Sequence, residues 1–372
     1  FIFSKKELAY NPRVKFDLSK SSLFFFEPNS KSIYGKEKNY WRYVKKYNFL
    51  PISGYPNKEV LFCNEDDGWI SYKTDSLGFR NDDNLWKVKN FSFLIGDSFV
   101  QGACVKDKDT LSSILTKKGE SNYLNLGSSG NNPIHYQRIL DIFLKPMLTN
   151  NKIPRPKELI IIFYENDFEA NILNQTKKLI GNSPINSNYF YSELDKKWKL
   201  SKNAENFFKD QIKYGVYKRK SNYISYLNLF LRKLKNTLFL RTTLKQIKGE
   251  SNMKIDSHVK NYDEALLTVK KAIYYCKELD CKINIVYIPS KSSLKKTKKN
   301  SLDSYYEATY FKNNLNILIA NKKIINFIDL SKELIYKKEA YQYFAKNGFH
   351  FSQIGYEKLA NKIKQALKEL SN

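Results

Sequence analysis

From residue 89 onward, short apolar runs alternate with stretches of helical spacing, and this alternation predicts the elements of the chain. The predicted strands are 91–95, 123–126, 159–164, 283–288 and 324–328. The predicted helices are about 107–118, 133–148, 262–279, 305–320 and 352–370. Strands that alternate with helices are typical of a parallel sheet covered by helices on both faces. The sequence therefore predicts an α/β protein with a three-layer α/β/α, flavodoxin-like core of about five parallel strands.

Two segments depart from this alternation and divide the chain into parts. Residues 1–88 hold aromatic clusters and turns without long helical spacing, so we expect an irregular N-terminal extension of short strands and loops that wraps the core. Residues 170–260 are polar and lysine-rich and have helical spacing from about Phe207 to Lys248, which predicts a basic helical insertion. The core itself then comprises residues 89–169 and 261–372.

The formal charge of +27 changes this picture less than its size suggests. Of the 64 basic residues only eight are arginine, the residue that phosphate recognition favours, and the lysines are spread along the whole chain. This pattern fits an AT-rich coding bias, and we expect no nucleic-acid partner. Residues 208–248 hold 11 basic residues against one acidic residue, Asp210. They form either a solvated face of the insertion or a surface that contacts an anionic polymer or membrane headgroups.

The four cysteines and the apolar runs exclude several classes of protein. Cys63, Cys104, Cys276 and Cys281 show no Cys-x-x-Cys spacing and have no histidine near them in the sequence, so we expect no metal, no redox motif and no cofactor. No run approaches the roughly 20 apolar residues of a membrane helix. Because the chain begins at Phe1 and not at a methionine, we expect a fragment or a processed form, from which any upstream signal peptide or anchor is missing.

Candidate chemistry begins at the end of the first predicted strand, in Gly96-Asp97-Ser98. In open α/β sheets, ligands collect at the carboxyl ends of the strands, and Ser98 stands at such an end. The alternative is that Ser98 or Asp97 only caps the following helix. A serine hydroxyl becomes nucleophilic when a base takes its proton, and His350, just before the last helix, is the candidate base.

The ends of the next two strands supply candidate donors for an oxyanion. Gly130 follows the second strand and Asn166 the third. The backbone N–H groups of Ser98 and Gly130 and the side-chain amide of Asn166 would together form an oxyanion hole. Asp97 is expected to organise the turn or cap the helix, and Asp167 to brace the loop that presents Asn166.

The four blocks together resemble the SGNH hydrolases, the GDSL family of esterases and lipases. The matching residues occur in the family's order: Ser98 in Gly-Asp-Ser, Gly130 in Asn-Leu-Gly-Ser-Ser-Gly, Asn166 in Tyr-Glu-Asn-Asp, and His350 near the C-terminus. The resemblance covers the two parts of the core and neither the extension nor the insertion. It implies ester hydrolysis or acyl transfer through an acyl-Ser98 intermediate.

The chain departs from the family where the triad acid normally stands, three residues before the histidine. Asn347 occupies that position. An asparagine carbonyl can hold the histidine tautomer but cannot stabilise an imidazolium with a full negative charge. Three outcomes follow: a slow enzyme assisted by Asn347, a carboxylate supplied from elsewhere in the chain, or a loss of catalysis. His135 and His258 are interpreted as surface or core histidines and not as ligands.

The resemblance also implies a class of substrate. Long members of the family with an N-terminal extension act on the cell envelope or on polysaccharides, so we expect removal or transfer of an O-acetyl or other small acyl group on a small molecule or glycan. It further implies a location in the cell envelope or periplasm. The alternative is a catalytically weakened glycan-binding module, which the asparagine at the acid position suggests.

Overall fold

The computed structural model describes residues 24–25, 46–47, 49–61, 65, 70–118, 121–170, 173–174, 176–177, 189–210, 261–291, 298–320, 324–334 and 338–369. In chain order the strands are β1 Phe24–Phe25, β2 Glu59–Leu61, β3 Ser71–Lys73, β4 Phe91–Gly96, β5 Asn122–Gly127, β6 Glu158–Tyr164, β7 Tyr189–Ser192, β8 Lys197–Leu200, β9 Lys282–Ile288 and β10 Ile325–Asp329. The helices are α1 Ser98–Gln101, α2 Leu111–Lys118, α3 Pro133–Phe143, α4 Lys145–Thr149, α5 Asp263–Leu279, α6 Lys298–Ile319, α7 Ser331–Leu334 and α8 Gln353–Glu369.

Five parallel strands form the central sheet in the order β10-β9-β6-β4-β5. Residues of β4 and β6 are buried on both faces, as expected for strands covered by helices on each side. The apolar residues of α3, α5 and α6 pack on one face and those of α2 and α8 on the other. The predicted three-layer α/β/α fold is therefore confirmed, and β4 lies between β5 and β6.

The predicted strands and helices of the core agree with the structure to within one or two residues, with three exceptions. Where a helix was predicted over about 107–118, the structure has the 3-10 turn Asp107–Asp109, and α2 begins only at Leu111. The helix predicted over 133–148 is divided at Leu144 into α3 and α4. Pro146 lies in the first turn of α4 and has no N–H to continue the hydrogen bonds of α3. The helix predicted over 305–320 begins earlier, at Lys298.

The N-terminal extension is partly built into the core. Among the described residues of this segment, β2 pairs with β1 and β3, and Phe49, Ile52 and Phe79 are buried with the residues of α3. Trp86 stacks on Phe143 of α3, with ring centroids 5.5 Å apart. The described part of the extension is therefore held by the same apolar core as the sheet.

The described part of residues 170–260 contains a hairpin that the sequence did not predict. Strands β7 and β8 form an antiparallel hairpin, whose residues Tyr189 and Trp198 are buried. Alternate residues of a strand point to the same face of the hairpin, and this face places both rings in the core. The ring centroids of Trp198 and Phe143 are 4.9 Å apart. Residues 202–210 are helical, but most of the basic stretch 208–248 and His258 lie outside the described residues. Within the described part of the chain, no helix is long and apolar enough to span a bilayer.

Candidate active site

Strand order brings three predicted site residues to one edge of the sheet. Ser98 follows β4, while Gly130 and Asn166 follow the two neighbours of β4, which are β5 and β6. Gly130 has a φ of +81°, which glycine adopts without strain. Asn166 lies exposed in the 3-10 helix Glu165–Phe168. The backbone therefore places the two predicted oxyanion donors on either side of the serine.

Asp97 holds the turn that presents Ser98. Its Oδ1 accepts a hydrogen bond from the Phe99 N–H at 2.9 Å, so Asp97 is the N-cap of α1. Gly96 makes this turn possible, because a Cβ at that position would lie 2.4 Å from Val100 Cγ2. Burial raises the pKa of the Asp97 carboxyl to about 6, against the opposing effects of the Phe99 amide and the charge of His350.

His350 lies within hydrogen-bond distance of Ser98, as predicted. Its Nε2 is 2.9 Å from Ser98 Oγ, and both residues are buried. The imidazole contacts the ring of Phe99 at 5.4 Å and that of Phe349 at 4.1 Å between centroids. These contacts restrict the orientation of the imidazole beside the serine.

The group on the other side of His350 is Glu65, a residue that sequence reasoning missed. Glu65 Oε1 is 2.8 Å from His350 Nδ1, and Glu65 Oε2 accepts from the His350 backbone N–H at 3.1 Å. Since a carboxylate only accepts, Nδ1 carries the proton and Nε2 is left to accept from Ser98. Burial raises the pKa of Glu65, but the charge of His350, its two hydrogen bonds and the charge of Lys291 together lower it below its ordinary value. The site therefore holds an ionised carboxylate against the imidazole.

Asn347 does not take the place of the triad acid. Its side chain is exposed, and its backbone N–H donates to the Glu65 carbonyl at 3.0 Å. The backbone N–H groups of Asn347 and His350, which belong to the same turn, thus both bond to Glu65. Gly348, between them, leaves space for the Glu65 side chain. A Cβ at Gly348 would overlap the Glu65 carboxylate, 1.8 Å from Oε2. Glu65 itself lies in no recognisable motif. Gly348 is therefore the sequence feature that relates to a carboxylate next to His350.

The extension also braces the loops around the serine. Gln101 of α1 donates to Tyr72 Oη at 2.6 Å and accepts from the Ser129 N–H at 2.8 Å. The Arg80 guanidinium donates to the carbonyl of Gly102 at 2.7 Å. Because Ser129 precedes Gly130, these bonds tie the nucleophile turn and the predicted oxyanion loop to the first 88 residues.

The remaining predicted residues have structural roles. Asp167 Oδ2 accepts from the Tyr164 N–H at 3.0 Å and from Tyr136 Oη at 2.9 Å, so it holds the turn next to Asn166. His135 is buried at the start of α3, where its Nδ1 accepts from the Asn132 N–H at 3.2 Å. It caps a helix and, as predicted, is a core histidine.

The cysteines are closer to the site than their spacing indicates. Cys104 Sγ lies 3.7 Å from His350 Nδ1, and Cys104 is disulfide-bonded. Ligand atoms of Glu65, Cys104 and His350 fall within 4.8 Å of one another. A cysteine in a disulfide has no thiolate to offer a metal, and Glu65 and His350 are already engaged with each other and with Ser98. Cys276 and Cys281 are joined to each other by a second disulfide.

Comparisons with known proteins add a fold neighbour and nothing about activity. No protein-family model matches the chain, and no curated protein matches it. Among solved structures the chain is similar to the salicylyl-acyltransferase SsfX3 from a tetracycline biosynthetic pathway, with 10% sequence identity and a TM-score of 0.35. The match covers 82% of this chain and 59% of that one, so the chain spans less than two thirds of the neighbour's length. At this level the likeness carries no argument about function.

Proposed function

We propose that the protein is a serine esterase or acyltransferase of the SGNH type that acts on ester-linked acyl groups. The hydrogen-bonded series Ser98–His350–Glu65 carries this proposal, with 2.9 Å and 2.8 Å between the bonded atoms. A buried serine, a base that accepts from it and a carboxylate that orients the base are the three parts of nucleophilic acyl transfer. The order of Ser98, Gly130, Asn166 and His350 in the chain supports assignment to the SGNH hydrolases.

Acylation begins at Ser98. Its Oγ bonds to the carbonyl carbon of the ester while the hydroxyl proton passes to His350 Nε2, and Glu65 stabilises the imidazolium that forms. The tetrahedral intermediate then expels the alcohol oxygen, which takes the proton from Nε2. Water or a second hydroxyl next attacks acyl-Ser98 with His350 again as base, and Ser98 leaves with the proton.

The negative charge on the tetrahedral oxygen requires fixed donors. We assign this role to the N–H groups of Ser98 and Gly130 and to the side-chain amide of Asn166. Removal of one such donor typically costs about 10²–10³ in rate. The bonds of Gln101 and Asp167 to the adjacent backbone support this assignment, because they hold the loops before Gly130 and around Asn166.

A small acyl group on a glycan or small molecule is the proposed substrate. The small size of the acyl group rests on the family resemblance. The glycan and the location in the cell envelope rest on the family resemblance. The glycan-binding alternative was motivated by Asn347, and the carboxylate of Glu65 beside His350 removes that motive.

The test is covalent labelling of Ser98. A fluorophosphonate should add one phosphonyl group to wild type, seen by intact mass, and none to Ser98→Ala. Labelled protein should fail to hydrolyse 4-nitrophenyl acetate. Wild type that does not label, or Ser98→Ala that labels equally, would falsify the proposal. Release of acetate from an O-acetylated glycan, compared with transfer to an added sugar, then separates hydrolase from transferase.

A further inference from the structure

Lys291 contacts the turn that carries His350, although no motif points to this residue. It follows β9, at the same edge of the sheet as Ser98. Its Nζ donates to the carbonyl oxygens of Ala345 and Gly348, the latter at 2.7 Å. Both carbonyls belong to the turn that precedes His350. Hydrogen bonds from a charged donor are roughly twice as strong as neutral ones, so one ammonium fixes two points of this turn.

The same turn encloses the triad acid. The Ala345 N–H donates to the His350 carbonyl at 2.8 Å, and the Asn347 N–H donates to the Glu65 carbonyl at 3.0 Å. Gly348 packs against the Glu65 carboxylate. A shift of the turn would therefore move both the base and its carboxylate away from Ser98.

The segment of Lys291 is itself anchored beside the predicted oxyanion donor. The Ser290 N–H donates to Glu165 Oε2 at 2.7 Å, and Glu165 is buried next to Asn166. Lys291 thus joins the segment after β9, which is bonded to the loop after β6, to the turn of His350.

We propose, on the basis of the function proposed above, that Lys291 is a positioning residue that holds the His350 turn against Ser98 and supplies the positive charge that balances Glu65. Its bonds to two carbonyls and its place beside a buried carboxylate distinguish it from the surface lysines. Its contribution is to the geometry and the charge of the base.

The charge of Lys291 also predicts the direction of a change with pH. The ionisable groups near the imidazole are Glu65 from the extension and Asp97 at the end of β4. Both remain in a Lys291 variant, so a difference between the proteins reports Lys291. The charge of Lys291 helps to lower the pKa of Glu65, so its loss lets the carboxylate take up a proton at a higher pH and moves the acid limb of the rate profile to higher pH.

The experiment measures the second-order rate of fluorophosphonate labelling from pH 5 to 9. Lys291→Met should label about 10-fold to 100-fold more slowly than wild type, as misplaced reacting groups do. Its acid limb should lie at a higher pH than that of wild type. Lys291→Arg keeps the charge and should restore part of the rate and the wild-type acid limb.

Lys271→Met is the matched control. It removes another half-buried lysine, whose Nζ lies 2.7 Å from Asp141 Oδ2 and joins α5 to α3, away from the turn of His350. It should label as wild type does. If Lys291→Met lacks a native circular dichroism spectrum, Lys291→Gln carries the same test with a neutral donor. The inference is overturned if a neutral variant labels at the wild-type rate, or if it labels slowly but its acid limb stays at the wild-type pH. In either case labelling of wild type leaves the proposed function intact.

Discussion

Glu65→Gln is the most direct test of the triad. The amide has nearly the same shape as the carboxylate but carries no charge and only one acceptor. Two donors face this side chain, His350 Nδ1–H at 2.8 Å and the His350 backbone N–H at 3.1 Å. The glutamine oxygen can accept from one of these donors, but its NH₂ must face the other. The negative charge and one of the two hydrogen bonds are therefore lost.

The charge sets the expected size of the effect. Two unit charges 2.8 Å apart interact by about 6 kcal/mol at an effective dielectric constant of about 20. Each 1.36 kcal/mol corresponds to about tenfold in rate, so the imidazolium formed during attack by Ser98 should be disfavoured by about 10⁴. Replacement of the triad Asp by Asn in a serine protease costs a similar factor of about 10⁴.

The assay is hydrolysis of 4-nitrophenyl acetate together with the rate of fluorophosphonate labelling, both at pH 8, with circular dichroism to confirm the fold. Asn347→Asp is the control and should change either rate by less than about threefold, because the position opposite Nδ1 is already occupied by Glu65. If Glu65→Gln retains more than a tenth of the wild-type rate, or if Asn347→Asp raises it, the assignment of Glu65 is wrong.

Three further predictions test neighbouring features. Gly348→Ala should lower the labelling rate toward that of Glu65→Gln, since its Cβ would displace the carboxylate; a wild-type rate would contradict the observed packing. The pKa of Glu65 is lowered by folding, so its contribution to the free energy of unfolding is present above about pH 4.5 and lost as the pH falls through the folded value. Chemical denaturation from pH 7 to 3 should therefore show a smaller acid loss for Glu65→Gln than for wild type, and parallel curves would refute this. Reduction of the Cys104 disulfide leaves a thiol 3.7 Å from His350 Nδ1, where it competes with Glu65. Tris(2-carboxyethyl)phosphine should slow labelling several-fold in wild type and equally in a Cys276→Ser, Cys281→Ser variant; an unchanged rate in both would exclude this competition.

A separate experiment tests whether the basic stretch 208–248 binds an anionic surface, since most of this stretch lies outside the described residues. If it binds headgroups or an anionic polymer, sedimentation with anionic vesicles at low salt should be lost when the stretch is deleted and weakened at high salt. Equal sedimentation with and without the stretch would leave the solvated-face interpretation.

The alternation of apolar runs and helical spacing was sufficient to predict the core. Each strand of the central sheet is a short, continuous run of mostly apolar residues, which is the pattern of a strand buried on both faces. Strands β4 and β6 have this burial in the structure. The carboxyl ends of parallel strands meet at one edge, so Ser98, Gly130 and Asn166 were expected to converge from chain order alone. The β7–β8 hairpin was missed because its strands are only four residues long and lie in a lysine-rich stretch.

The contact between Glu65 and His350 was decided only by the tertiary structure. Glu65 and His350 are 285 residues apart in sequence, and no spacing relates a carboxylate in an irregular extension to a histidine before the last helix. Their contact depends on the extension packing into the core through Phe79 and Trp86, and on a glycine at position 348 that leaves space for the carboxylate. Ser98 and His350, the proposed nucleophile and base, could be selected from local sequence, because one follows a strand and the other precedes a helix. The carboxylate beside His350, and the lysine bonded to the turn of His350, are brought there by contacts between distant parts of the chain.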